Sequence, residues 1–76
     1  MKTFNEIAVA VLRLAPETIR DDLKPADVPD WDSMNYLLFI SELEKEFATS
    51  FTMDEVLGAQ SLGDVRQLLV KRGITA

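Results

Sequence analysis

Apolar residues recur at spacings of three and four along most of this chain, which is the periodicity of amphipathic helices. The first such run ends at Pro16 and predicts a helix over residues 3–15. One face of that helix is apolar and carries Phe4, Ile7, Ala8, Val11 and Leu14. An apolar stripe of this kind needs a partner helix, so we expect the segment to pack in a helical bundle.

Prolines and acidic residues dominate the following segment, residues 16–32. All three prolines of the chain lie in it, and together with the acidic residues they disfavour a helix interior. Three apolar side chains could fix the segment to the bundle, namely those of Ile19, Leu23 and Val28. We therefore expect a long ordered loop rather than a mobile linker, and loops of this length are often functional.

A second helix is predicted from Asp32 or Ser33 to about Phe47, and it has two apolar stripes. On a helical wheel the core stripe contains Tyr36, Phe39, Ile40, Leu43 and Phe47. The opposite side carries Met34, Leu37, Leu38 and Ser41. An apolar patch that faces away from the core requires an explanation, and docking of a partner protein provides one. Burial of this outward stripe by the long loop is the alternative.

The signals in the rest of the chain are also helical. A short helix is predicted over residues 53–58 and closed by Gly58, and a final helix has Ser61 as its N-cap and Gly73 as its C-cap. No run alternates with a period of two over enough residues to predict a strand. The sequence thus predicts an all-α fold, a four-helix bundle of three main helices and one short helix, with a long loop between the first two. We expect residues 1–76 to form a single domain.

Two residue types are missing from the composition, since the chain has no Cys and no His. It therefore has no thiol nucleophile, no thiolate metal site and none of the side chains that usually serve as bases at neutral pH. A hydrolase that used Ser33 and Asp32 would lack a base to activate the hydroxyl. We expect a protein that is not itself a catalyst.

Negative charge is concentrated in the middle of the chain. The net charge is −5, and residues 17–46 contain nine acidic residues against three basic ones. Such a field repels nucleic acid phosphates and anionic lipids, and it attracts basic partner proteins. The chain shows neither a signal peptide nor a membrane span. We expect a cytoplasmic monomer that binds neither nucleic acid nor membranes.

The segment DWDSMNYLLFISELEKEF, residues 30–47, places Asp-Ser-Met after the acidic loop and at the start of the second helix. Together with the SLGDV opening of the last helix, it resembles the acyl carrier protein family over essentially the whole chain. The resemblance implies that a phosphopantetheinyl transferase attaches 4'-phosphopantetheine from coenzyme A to Ser33. The thiol of that arm would carry acyl groups as thioesters, and Asp32 would help to hold Mg²⁺ during loading.

The resemblance also implies protein partners: the phosphopantetheinyl transferase, acyl-loading and acyl-transferring enzymes, and synthases. We expect them to contact the start and the outward face of the second helix, with electrostatics setting encounter rate and orientation. The candidate partner-binding residues are Trp31, Met34, Asn35, Leu37, Leu38, Ser41, Glu42, Glu44 and Lys45. Trp31 has an alternative role as a loop anchor on Val28.

The chain departs from the commonest fatty-acid type of the family. Asp30 and Trp31 stand where a glycine and a small residue usually precede Asp-Ser, and Asn35, Leu38 and Lys45 stand where that type has acidic residues. We therefore expect a specialised pathway, such as polyketide or lipid synthesis. Two alternatives remain open: an aminoacyl carrier of the D-alanyl type, and a small helical adaptor without a prosthetic group.

Overall fold

Four α-helices form within residues 2–74, the part of the chain that this computed structural model describes. They are α1 over Phe4–Leu12, α2 over Ser33–Glu46, α3 over Met53–Gly58 and α4 over Leu62–Val70. Two single turns of 3₁₀-helix, Pro16–Thr18 and Pro25–Asp27, interrupt the loop between α1 and α2. The described residues contain no strand. The predicted all-α fold and its order of elements are confirmed.

Helix α1 is shorter than predicted, because it ends at Leu12 rather than near residue 15. Arg13 follows in the left-handed conformation with φ of 55°, which stops the helix. Leu12 is fully buried, whereas Val11 and Leu14 are only partly buried. The buried face of the helix consists of Phe4, Ile7, Ala8 and Leu12.

The core stripe of α2 faces the interior as predicted. Phe39 and Leu43 have no exposed surface, and the Phe39 ring meets Phe4 of α1 edge to face at 5.5 Å between centroids. Tyr36 and Phe47 lie at the ends of the stripe and are partly buried against the core. The α1 and α2 helices thus form the centre of the bundle.

The long loop is attached to α4 through backbone hydrogen bonds. A helix leaves its first N–H groups without partners inside the helix, and here the loop provides them. Leu62 N–H donates to the Leu23 carbonyl at 3.0 Å, and Gly63 N–H donates to the Asp21 carbonyl at 2.8 Å. Leu23 and Val28 are also buried in the core, as predicted. The loop is therefore an ordered part of the bundle.

The end of α2 is held by Glu44. Ala48 adopts φ of 50°, and the Thr49 N–H donates to the Glu44 carbonyl at 3.0 Å, which is a Schellman-type helix end. The Glu44 carboxylate also accepts a hydrogen bond of 2.7 Å from the Phe51 N–H. Backbone and side chain of one residue therefore fix the connection to α3.

A polar cluster links α3 to the end of α4. The Glu55 carboxylate pairs with the Arg72 guanidinium and with Lys71 Nζ, and the guanidinium lies 4.9 Å from the centroid of the Phe51 ring. Hydrogen bonds from Arg72, and then from the backbone of Thr52, lower the pKa of Glu55 from 4.5 to about 2. The ionised form of this carboxylate is therefore favoured in the folded protein.

The lowered pKa of Glu55 predicts a specific pH dependence of stability. A carboxyl group with a depressed folded pKa stabilises the fold above its unfolded pKa of 4.5, and this contribution is lost as the pH falls towards about 2. Thermal melts should show the wild type more stable than Glu55→Gln at neutral pH, with the two melting temperatures converging below pH 4.5. The control Glu17→Gln, which alters an exposed loop residue, should show no such convergence. A constant difference between wild type and Glu55→Gln would contradict the prediction.

Candidate functional site

Ser33 is the first residue of α2, and its side chain is exposed. The helix is capped by the residue before it, because Asp32 Oδ1 accepts a hydrogen bond of 2.9 Å from the Asn35 N–H. A serine at the start of a helix usually serves as its N-cap, but here Asp32 has that role. The Ser33 hydroxyl is presented at the helix start without serving as the cap.

The start of α2 favours a negatively charged group. The helix has 14 residues, and its aligned peptide dipoles place positive partial charge at the end where Ser33 lies. A phosphodiester on the Ser33 hydroxyl would lie at that end. The exposed hydroxyl and this helix end together fit a phosphate-linked group.

A groove of about 370 Å³ opens beside Ser33. It lies between the start of α2 and the end of α3, and it is lined by Pro25, Trp31, Asp32, Ser33, Tyr36, Val56, Leu57 and Ala59. Most of the lining side chains are apolar, and Asp32, Ser33 and Tyr36 are the lining residues whose side chains carry a polar group. A group attached to Ser33 could therefore lie against an apolar surface next to its point of attachment.

Trp31 forms one wall of this groove and is only 7% exposed. Its ring stacks on that of Tyr36, with 5.9 Å between centroids and 28° between planes. Its backbone N–H also donates to the Val28 carbonyl at 3.0 Å. Of the two predicted roles of Trp31, this burial favours that of a loop anchor over that of a direct partner contact.

Tyr36 is a functional candidate, although its position in the sequence pattern of α2 predicts only a core residue. Its hydroxyl donates a hydrogen bond of 2.6 Å to the Val56 carbonyl of α3. Burial, and to a smaller extent the negative charge of Asp64, raise the pKa of Tyr36, so the hydroxyl remains protonated at neutral pH. The helical wheel could not reveal this bond, because it depends on where α3 lies relative to α2.

The outward stripe of α2 is exposed to solvent. Met34, Leu37 and Leu38 are 80%, 54% and 49% exposed, so burial of the stripe by the loop is excluded. Helix α3 adds two further exposed apolar side chains, Met53 and Leu57, and Leu57 also lines the groove. Exposed apolar side chains on both helices are suited to contact with another protein.

The polar candidates on α2 differ in how strongly they are engaged within the chain. Ser41 and Lys45 are exposed, and Glu42 is partly exposed. The Asn35 side-chain amide donates to the Asp30 carbonyl at 2.8 Å, and the Glu44 carboxylate is bonded to the Phe51 N–H. Asn35 and Glu44 therefore stabilise the local structure, in addition to their predicted role in partner binding.

Comparison with protein-family models gives a match to the family described as "Phosphopantetheine attachment site" over residues 5–69. The chain belongs to this family. A solved structure from Mycobacterium tuberculosis, assigned as an acyl carrier protein, has the same fold with a TM-score of 0.81 and 23% sequence identity. The similarity covers 91% of this chain and 92% of that one. Comparison with curated proteins gave no match.

Membership in this family defines the cofactor as covalently attached 4'-phosphopantetheine and the class of protein as a carrier. Such carriers work with a phosphopantetheinyl transferase and with synthase enzymes, and they are generally not catalysts themselves. The alternative of an adaptor without a prosthetic group is not supported. Among the described residues, no helix is long and apolar enough to cross a membrane. The same residues contain no group of three or more acidic side chains placed to hold a metal ion.

Proposed function

We propose that this protein carries acyl groups as thioesters on a 4'-phosphopantetheine arm attached to Ser33. It presents them to partner enzymes of a fatty-acid, polyketide or other specialised biosynthetic pathway. The observation that carries the proposal is the exposed Ser33 hydroxyl at the start of α2, inside the segment that matches the family, with Asp32 supplying the helix cap. We propose that residues 1–76 act as one carrier unit.

The residues at the start of α2 have distinct roles in this proposal. Ser33 Oγ forms the phosphodiester bond, and the dipole of α2 favours the resulting negative charge. Asp32 is exposed, and its carboxylate helps to hold the Mg²⁺ that the loading enzyme uses, because that cation prefers carboxylate and phosphate oxygens. The arm supplies the thiol that this chain, which has no Cys, lacks.

The partner surface is proposed to be the exposed stripe of α2 with its polar neighbours. Met34, Leu37 and Leu38 provide apolar contact area, while Ser41, Glu42 and Lys45 surround it with polar groups. An interface of this kind combines an apolar centre with a polar rim. Because Asn35, Leu38 and Lys45 make the helix less acidic than in the commonest fatty-acid carriers, we propose dedicated partners in a specialised pathway.

An aminoacyl carrier is the second candidate function, since the groove beside Ser33 is compatible with a short cargo as well as with an acyl chain. At about 370 Å³ the groove lies near the lower end of the range of about 300–1,000 Å³ for small-molecule sites. An aminoacyl group needs no long apolar channel. The proposed attachment of the arm to Ser33 is the same in both candidates, and only the loaded group and its pathway differ.

Two steps test the proposal. The protein is first incubated with coenzyme A, Mg²⁺ and a broad-specificity phosphopantetheinyl transferase, and the product is then offered to acyl-loading and aminoacyl-loading enzymes. We expect a hydroxylamine-sensitive acyl or aminoacyl group to appear only on the protein that bears the arm. Loading of the unmodified protein would contradict the proposal. The identity of the group that is loaded decides between the two candidates.

Replacement of Leu38 by Glu tests the partner surface. Leu38 is 49% exposed, so we expect the free energy of unfolding to change by no more than about 0.5 kcal/mol. Modification of Ser33 should be retained. Transfer to the dedicated partner enzymes should weaken, while recognition by general fatty-acid enzymes with basic docking surfaces should improve.

Thermal melts and transfer assays with both sets of enzymes measure the effect of Leu38→Glu. A suitable control is Val70→Glu, which changes an exposed apolar residue on α4 instead of α2. Unchanged transfer to every enzyme would leave the outward stripe without a role in docking.

A further inference from the structure

Two residues that line the groove beside Ser33, Tyr36 of α2 and Val56 of α3, are joined by a hydrogen bond. Helix α3 ends at Gly58, and Ala59 then adopts an extended conformation with φ of −74° and ψ of 127°. The last carbonyls of such a short helix therefore lack partners within it. The Tyr36 hydroxyl from α2 supplies a partner to one of them, the Val56 carbonyl, at 2.6 Å.

Both residues of this bond line the groove and also belong to the core or pack against it. The Tyr36 ring is stacked on Trp31 at the wall of the groove, and it also packs against the buried core cluster. The next residues of the same stripe, Phe39 and Leu43, have no exposed surface. A chain that entered the core from the groove would have to separate α3 from α2, leave the Val56 carbonyl unpaired and displace close-packed side chains.

We propose that Tyr36 is a specificity-determining residue that keeps the carried group outside the bundle. Its bond to Val56 blocks the way from the groove into the core, so that only the pantetheine arm lies in the groove. The cargo therefore remains at the surface, whatever its chain length. This inference rests on the proposed attachment of the arm to Ser33. It implies that partner enzymes take the cargo directly from the surface, without first extracting it from the interior of the carrier.

The comparison of two cargo lengths on two proteins tests the role of Tyr36. Wild type and Tyr36→Phe are each incubated with the phosphopantetheinyl transferase and either acetyl-coenzyme A or octanoyl-coenzyme A. Each protein then bears an arm that already carries the acetyl or the octanoyl group. Intact mass verifies each product. The rate at which hydroxylamine cleaves each thioester then reports how accessible the cargo is. Tyr36→Phe keeps the ring and removes only the donor of the bond to Val56.

In the wild type we expect both thioesters to be cleaved at rates within about twofold of each other. In Tyr36→Phe the octanoyl thioester should be cleaved at least about fivefold more slowly than the acetyl one. Slow cleavage of the octanoyl thioester in the wild type would overturn the proposal. Equal rates for both thioesters in Tyr36→Phe would overturn it as well.

Leu57→Ala is the matched control, because it widens the outer wall of the groove and leaves the Tyr36 hydroxyl in place. It should behave as the wild type, and protection of the octanoyl thioester in this variant would show that groove width, and not the bond, excludes the chain. If Tyr36→Phe does not fold, Tyr36→Met provides a second variant without the donor.

Two further readouts do not depend on thioester cleavage. Trp31 is the only tryptophan of the chain and lies in the groove wall, so its fluorescence should change when the arm is attached and should not change further between acetyl and octanoyl cargo. In the unmodified protein, Tyr36→Phe should speed amide hydrogen exchange in α3 by at least about threefold. Unchanged exchange would overturn the role of the bond. A lack of any mass increase would instead overturn the proposed function, and with it this role of Tyr36.

Discussion

Replacement of Ser33 by Ala should abolish attachment of phosphopantetheine and leave the fold intact. The hydroxyl oxygen is the proposed point of attachment, so its removal leaves the transferase without an acceptor. The fold should tolerate the change because the cap of α2 is the Asp32 carboxylate, which the substitution does not touch. We expect the free energy of unfolding to change by no more than about 0.5 kcal/mol, as for other exposed substitutions.

Ser50→Ala is the control for this experiment, because Ser50 is exposed, lies outside the proposed partner surface and is not the proposed acceptor. It should be modified as fully as the wild type. Intact mass and circular dichroism, measured on all three proteins, separate loss of the acceptor from loss of the fold. Modification of Ser33→Ala to the extent of the wild type would show that another residue carries the arm.

Replacement of Gly63 by Ala should give the largest loss of stability among the glycine positions. A Cβ atom at Gly63 would lie 2.9 Å from both the Cβ atom and the carbonyl oxygen of Asp21, and the latter belongs to the backbone and cannot rotate away. The loop would have to move from α4, which weakens the hydrogen bonds from Leu62 and Gly63 to it. We expect a net loss of about 1–3 kcal/mol, in the range that is typical of overpacking.

Gly58→Ala is the matched control, because a Cβ atom there meets no atom within 4 Å. Since Gly58 is in a helix, the same substitution should raise stability there, by up to about 1 kcal/mol. Urea unfolding of the two variants and the wild type measures both effects. A Gly63→Ala protein as stable as the wild type would contradict the docking of the loop on α4.

The helices and the two faces of α2 could be predicted from the sequence because their determinants are local. The spacing of Phe39, Ile40 and Leu43 fixes one face, and the exposure of Met34 and Leu38 follows from their position opposite it. Ser61 was likewise recognisable as the N-cap of the last helix, and its hydroxyl accepts a hydrogen bond of 3.2 Å from the Asp64 N–H.

The sequence could not provide the contacts that depend on tertiary position. The left-handed residue that ends α1 is an arginine, which gives no signal comparable to glycine at such a position. The stacking of Trp31 on Tyr36 and the bond from Tyr36 to Val56 join segments whose approach is set by the whole bundle. For this reason the serine was predictable as a candidate, whereas the shape of the groove beside it was not.

The proposed carrier function depends most directly on where the arm is attached. The test is the intact mass of the wild-type protein after incubation with coenzyme A, Mg²⁺ and a phosphopantetheinyl transferase that has been shown to modify another carrier. Peptide mapping of the product then locates the added group. We predict a mass increase of one phosphopantetheine, located on the peptide that contains Ser33. An unchanged mass, or a group on any other residue, would contradict the account.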